Sequence, residues 1–184
     1  MLRYLVAACV SALCMTGGLA RADQNDPALD KLFAQLHAAK SPLEAQPLER
    51  AINDIWAQSN SEAIDYLMQA GLAALDAEDF EAAQTMFSGV TRMAPGYVEG
   101  WNKRATAYYL EDDTRNAVIA LQHVLAIEPR QFEALFGLAA IFEEWGEKKR
   151  ALVALRAAHA LDPQLDGVAE RIKVLGKEVD GRGI

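Results

Sequence analysis

The sequence predicts an all-α solenoid of stacked helical hairpins. Three observations carry this. Pro95, Pro129 and Pro163 stand 34 residues apart, and a fixed period of that size marks a helix-turn-helix array. Small residues recur in the same register: Gly71, Ala105 and Ala139 in the first helix of each hairpin, Ala83, Ala117 and Ala151 in the second. Strand signals are nearly absent, because no stretch alternates apolar and polar residues with β-branched enrichment.

The chain opens on a targeting pattern. Met1-Leu2-Arg3 is a short positive start, Tyr4 to Ala20 is mostly apolar, and Ala20-Arg21-Ala22 is a small-x-small cleavage site before the polar Asp23-Gln24-Asn25-Asp26. That is the three-part order of a secretory signal peptide, assigned here to residues 1–22. A retained membrane anchor is disfavoured because the apolar run is short and broken by Gly17-Gly18. A bacterial lipobox at Val6-Ala7-Ala8-Cys9 is disfavoured because almost no apolar run precedes it. Cleavage after Ala22 removes both cysteines, Cys9 and Cys14, leaving no thiol for a disulfide, a nucleophile or a metal. It also removes Arg3 and Arg21, so the net charge of −8 becomes −10. The expected destination lies across the inner membrane, in the periplasm, with no stable membrane span in the mature chain.

Residues 23–60 predict a helical pair. Pro27 sits at a first-turn position, and Leu29, Leu32, Phe33 and Leu36 recur at helical spacing. Ser41-Pro42 ends that helix and restarts the next, which carries Leu48, Ile52, Ile55 and Trp56, with Pro47 in its first turns or at its start. The pair lacks the repeat signature, so it reads as a divergent hairpin or a cap. Within residues 61–165 the repeats fall at about 64–97, 98–131 and 132–165, with helices near 61–76, 79–93, 97–110, 113–127, 131–144 and 147–161. Asp79 and Asp113 are expected N-caps. Gly146 suits the last intra-hairpin turn. Residues 166–184 hold a capping helix, with Val168, Ile172, Leu175 and Val179 on one face, and a tail.

The repeat residues resemble a known family. The first repeat gives Leu67, Ala70, Gly71, Ala74, Ala83, Phe87, Pro95; the second Trp101, Arg104, Ala105, Tyr108, Ala117, Leu121, Pro129; the third Leu135, Leu138, Ala139, Phe142, Ala151, Leu155, Pro163. This is similar to the tetratricopeptide repeat (TPR) signature over roughly the last two thirds of the chain. Arg104 departs from it where an apolar residue is usual, and Ala74 where an aromatic is usual. The resemblance implies a right-handed solenoid that works as a non-enzymatic binding scaffold, with the first helix of each hairpin lining a concave groove for a partner segment. By repeat phase the groove residues are Met68, Gln69, Leu72, Asn102, Lys103, Thr106, Tyr109, Phe136 and Ala140. The family's carboxylate clamp for chaperone tails would fall on Met68, Leu72, Lys103, Glu133 and Gly137. Of these only Lys103 is basic, which argues against that ligand.

Composition and motifs bound the rest. An acidic chain lacks the basic face that nucleic acid needs. His37, His123 and His159 fall on different helices without partners at ligand spacing, and no Gly-rich phosphate loop or nucleophile elbow occurs, so no cofactor, metal or catalytic residue is expected. The acidic clusters at Glu78-Asp79 and Glu111-Asp112-Asp113 follow the repeat period and read as caps. The expected function is an exported adaptor that binds a protein or peptide segment. The alternatives are a small-ligand or lipid-binding accessory protein of the cell envelope and, less favoured, an enzyme.

Overall fold

The structure, a computed structural model, describes residues 26–181. The signal-peptide assignment, with Cys9 and Cys14, lies outside them. The described residues form helices only: α1 (Pro27–Ala38), α2 (Pro42–Ala57), α3 (Glu62–Asp76), α4 (Phe80–Met93), α5 (Val98–Leu110), α6 (Thr114–Ile127), α7 (Phe132–Glu144), α8 (Lys148–Leu161) and α9 (Val168–Asp180). Helices α3 to α8 are three successive antiparallel hairpins.

The sequence explains each hairpin locally. The side chains of Asp79 and Asp113 accept from the backbone N–H of Ala82 and Asn116, capping α4 and α6. The tight turn before each second helix passes through a left-handed residue in every repeat, at Glu78 (φ 57°), Asp112 (φ 64°) and Gly146 (φ 71°). Only the third uses the residue type for which that conformation carries no steric cost. Ala83, Ala117 and Ala151 are wholly buried where the two helices of a hairpin meet. Gly71 lets Phe87 approach so closely that an added Cβ would lie 2.5 Å from its ring.

The apolar core runs through the array in two parts. Ile64, Met68, Phe87, Val90 and Tyr97 join the first hairpin to α5. Leu121, Val124, Leu138, Phe142, Leu152 and Leu155 join the second hairpin to the third. Helix α9 closes the far end. Val168 and Leu175 are buried against the array, with Ile172 and Val179 partly so; Arg171 ties α9 to α7 through Glu143 (2.6 Å), and Lys148 ties α8 to α9 through Glu178 (2.7 Å).

The α1–α2 pair lies along one edge of the array and touches it where each of the three repeats ends. At the first turn the Tyr97 hydroxyl donates to Ala57 O (2.7 Å). At the second, Arg130 reaches Asp30 (2.7 Å) and sits over the Phe33 ring (4.8 Å). At the third, Gln164 donates to Ala39 O (3.2 Å) and His37 Nδ1 to Ala160 O (3.0 Å). Phe33, Trp56 and Phe132 form a buried aromatic cluster beneath this strap, with ring centroids 5.9–6.4 Å apart. Pro47 lies within α2 rather than opening it, five residues after the start at Pro42. Its missing N–H would have bonded the carbonyl of Leu43, a residue left 83% exposed, where water can take the carbonyl instead.

Candidate functional site

The concave face places a cavity of about 440 Å³ between α5 and α7. Helical phase puts Asn102, Lys103, Thr106 and Tyr109 of α5 on one wall, and Glu133, Phe136, Gly137 and Ala140 of α7 on the other. Ala105, Ala117, Leu121 and Ile141 supply the floor. Six of the nine groove residues named from the sequence therefore meet here. Gln69 and Leu72 of α3 are exposed but do not line this cavity. Met68 is 7% exposed and packs with Ile64, Phe87 and Val90, so it belongs to the core and not to the groove surface. The physical reason is that in a solenoid the neighbouring repeat covers part of each first helix.

The groove's polar groups are largely committed to one another. Lys103 pairs with Glu99 one turn away (3.0 Å), and Asn102 Nδ2 donates weakly to the same carboxylate (3.4 Å). Thr106 donates back to Asn102 O (3.1 Å). The Tyr109 hydroxyl donates to Glu144 across the groove, and this hydrogen bond, with burial and the carboxylate charge, raises the phenol above its usual range. On the α7 wall, Asn53 of the strap donates to Glu133 (3.0 Å). Phe136 lies under the Arg171 guanidinium at 4.7 Å, and Arg171 is itself neutralised by Glu143. With Lys103 paired, the rim carries Glu133 and Glu144 and has net negative character. Its middle is apolar, with Phe136, Ala140 and the methyl of Thr106. Such a surface can clasp an apolar or cationic segment and repel an anionic one.

The sequence reading left out the floor, because Ala117 and Leu121 sit on second helices and were counted only as packing residues. Their signal was the small-residue register itself: a small side chain at 117 keeps the floor low. Among the described residues, no group of three or more His, Cys, Asp or Glu side chains is placed to hold a metal ion, and no helix is long and apolar enough to cross a membrane. His123 stacks on Trp101, with centroids 4.1 Å apart.

Repeated hairpins, a concave cleft and a capping helix define a helical-repeat scaffold. The chain belongs to the TPR repeat-containing proteins: it is 32% identical over 153 residues to such a protein of Rhizobium etli, covering 83% of this chain and 75% of the relative. No protein-family model matches it. Among solved structures it resembles the TPR domain of Arabidopsis OM64 (TM-score 0.60, 21% identity, 65% of this chain and 99% of that one). It also resembles the Yersinia enterocolitica type III secretion chaperone SycD in complex with a peptide of the translocator YopD (TM-score 0.60, 12% identity, 64% and 95%).

Proposed function

We propose that this protein is an exported interaction scaffold that holds a short apolar or basic segment of a partner protein in the α5–α7 groove. The observation that carries the reading is the cleft itself: an apolar middle between Phe136 and Tyr109, walled by hydrogen-bonding side chains and rimmed by Glu133 and Glu144. The likeness to a chaperone solved with a bound peptide supports the same use of the fold. Asn102 supplies an amide that can exchange its long bond to Glu99 for a bond to a peptide backbone. Lys103, being paired, contributes its stem more than its charge. Tyr109 offers ring area and a polar tip. The reading assigns no catalytic step. The pattern at residues 1–22 supports export to the periplasm.

Selection of random peptides displayed on phage tests the reading. Sequences retained by the parent and lost by Asn102→Ala should be rich in apolar, Lys and Arg residues. A groove-dependent set rich in Asp and Glu would contradict it.

A further inference from the structure

On the face of α5 opposite the groove, Arg104 occupies the repeat position held by Ala70 and Leu138 in the neighbouring hairpins. Packing there does not require a cation. Its guanidinium is half-buried and held from several sides. The carbon lies 5.4 Å from the ring centroids of both Trp101 and Tyr108. Trp101 is in turn pinned by its stack on His123 and by Nε1 donating to Pro95 O (2.9 Å). Among the described residues, only neutral oxygens accept from Arg104: the Thr91 hydroxyl at 3.4 Å and the Tyr108 hydroxyl at 3.0 Å. The Nε–H is buried without a hydrogen-bond partner among the described residues.

A half-buried cation whose acceptors are all neutral is poorly compensated for the water it has lost. Beside it is an open cavity of about 360 Å³ between α4 and α5, to which Arg92 brings a second guanidinium and Ser88 and Thr85 bring hydroxyls. Arg92 donates to Ser88 O (3.3 Å), and neither arginine has an ion-pair partner among the described residues. Among the described residues, the one carboxylate lining the cavity is Glu81. Two guanidinium groups and one carboxylate leave a single positive charge, on a chain that is otherwise acidic.

We propose that Arg104 and Arg92 form a binding site for a single carboxylate, provided by an acidic side chain of a partner protein or by a small free acid. The guanidinium fork matches a carboxylate edge to edge, and the aromatic rings hold that fork in place before the ligand arrives. Of a guanidinium's five N–H donors, the two bonded to Thr91 and Tyr108 and the buried Nε–H are set aside, and the rest serve the anion. Glu81 sets the charge selectivity, because a doubly charged phosphate meets its repulsion with little to offset it. This site is independent of the groove.

The experiment is an arginine-side-chain NMR titration of the full mature chain at low salt, with acetate, N-acetylglutamate amide and inorganic phosphate as probes. Both carboxylates are expected to shift the Arg104 signal to saturation, and phosphate to bind more weakly. Arg104→Leu, which copies Leu138 in the third repeat and so should fold, abolishes the response at Arg92. Glu81→Gln tightens carboxylate binding roughly two- to five-fold, the size of an exposed charge pair. N-acetylglutamate amide binding more tightly than acetate assigns the site to a partner's side chain, and equal binding assigns it to a free acid. Signals that do not saturate, an equal shift at exposed Arg115, or phosphate binding more tightly than both carboxylates would overturn the proposal.

Discussion

The Glu49 carboxyl of α2 stands beside the Asp162 carboxyl in the turn after α8, bringing the strap against the last repeat across 113 residues of sequence. Asp162 is fully buried. Its Oδ1 accepts from the Gln164 N–H (2.9 Å), while its Oδ2 is buried with no hydrogen-bond donor among the described residues. Two ionised carboxylates repel at such close quarters, which favours a proton on Glu49, and a protonated Glu49 can donate to the buried Oδ2.

This contact should be visible in the pH dependence of stability. Burial above all, then the charge of Asp162 and its hydrogen bond, then the charge of Glu133, push Glu49 up to about 7, with Arg50 opposing. Between the ordinary 4.5 and that value the folded chain keeps a proton that the unfolded chain has released. Stability therefore falls as pH rises through this window and levels off above it. Glu49→Gln keeps a donor toward Asp162 without the titration. Melting of parent and variant, compared between about pH 5 and about pH 8, should show the variant with the flatter profile and the higher Tm at the alkaline end. Parallel profiles would show that Glu49 does not hold the proton.

The strap should depend on its aromatic anchor. Trp56 is 1% exposed between Phe33 and Phe132. Trp56→Ala is expected to cost about 3–5 kcal/mol in chemical denaturation, as large core truncations do. Proteolysis should then cut first between α1 and α3, leaving the repeats intact. Cleavage that begins within the repeats would place the anchor elsewhere.

The hairpin contact gives a sharper contrast. Ala117 is fully buried and Arg115, two residues away, is exposed. Ala117→Leu should destabilise by about 1–3 kcal/mol through overpacking, while Arg115→Leu should stay within about 0.5 kcal/mol of the parent. Equal denaturation midpoints would put the repeat register in error.

Export is tested by N-terminal sequencing of the protein recovered from outside the cytoplasm. The expected first residue is Asp23. Intact Met1 in the soluble cytoplasmic fraction would contradict it.

The repeats were legible because their constraints are local and recur. A proline every 34 residues, alanines at the hairpin contacts and aspartates at the helix starts each act within one hairpin. The strap was not. Nothing in Leu29, Phe33 or Trp56 says which distant surface they cover, since the partner is Phe132, and the ties to Arg130, Gln164 and Asp162 are made only when the array is assembled. Repeat phase brought six of nine groove residues to one cavity but misjudged Met68, because phase gives the direction of a side chain and not what the next repeat lays over it. Arg104 stood out in the sequence as a departure. Its two aromatic neighbours could be read from helical spacing, but the second arginine, one helix earlier, could not.

The most direct test of the groove assignment is the affinity of a peptide selected on the parent, measured by calorimetry against three single variants. Asn102→Ala and Tyr109→Ala should each weaken binding by about five-fold or more, the worth of a lost hydrogen bond or of aromatic contact area, with helix content and Tm unchanged. Arg115→Glu, on the convex side, should bind like the parent. Parent-like affinity in both groove variants, together with loss of binding in Arg115→Glu, would contradict the groove assignment and place the partner on the outer surface.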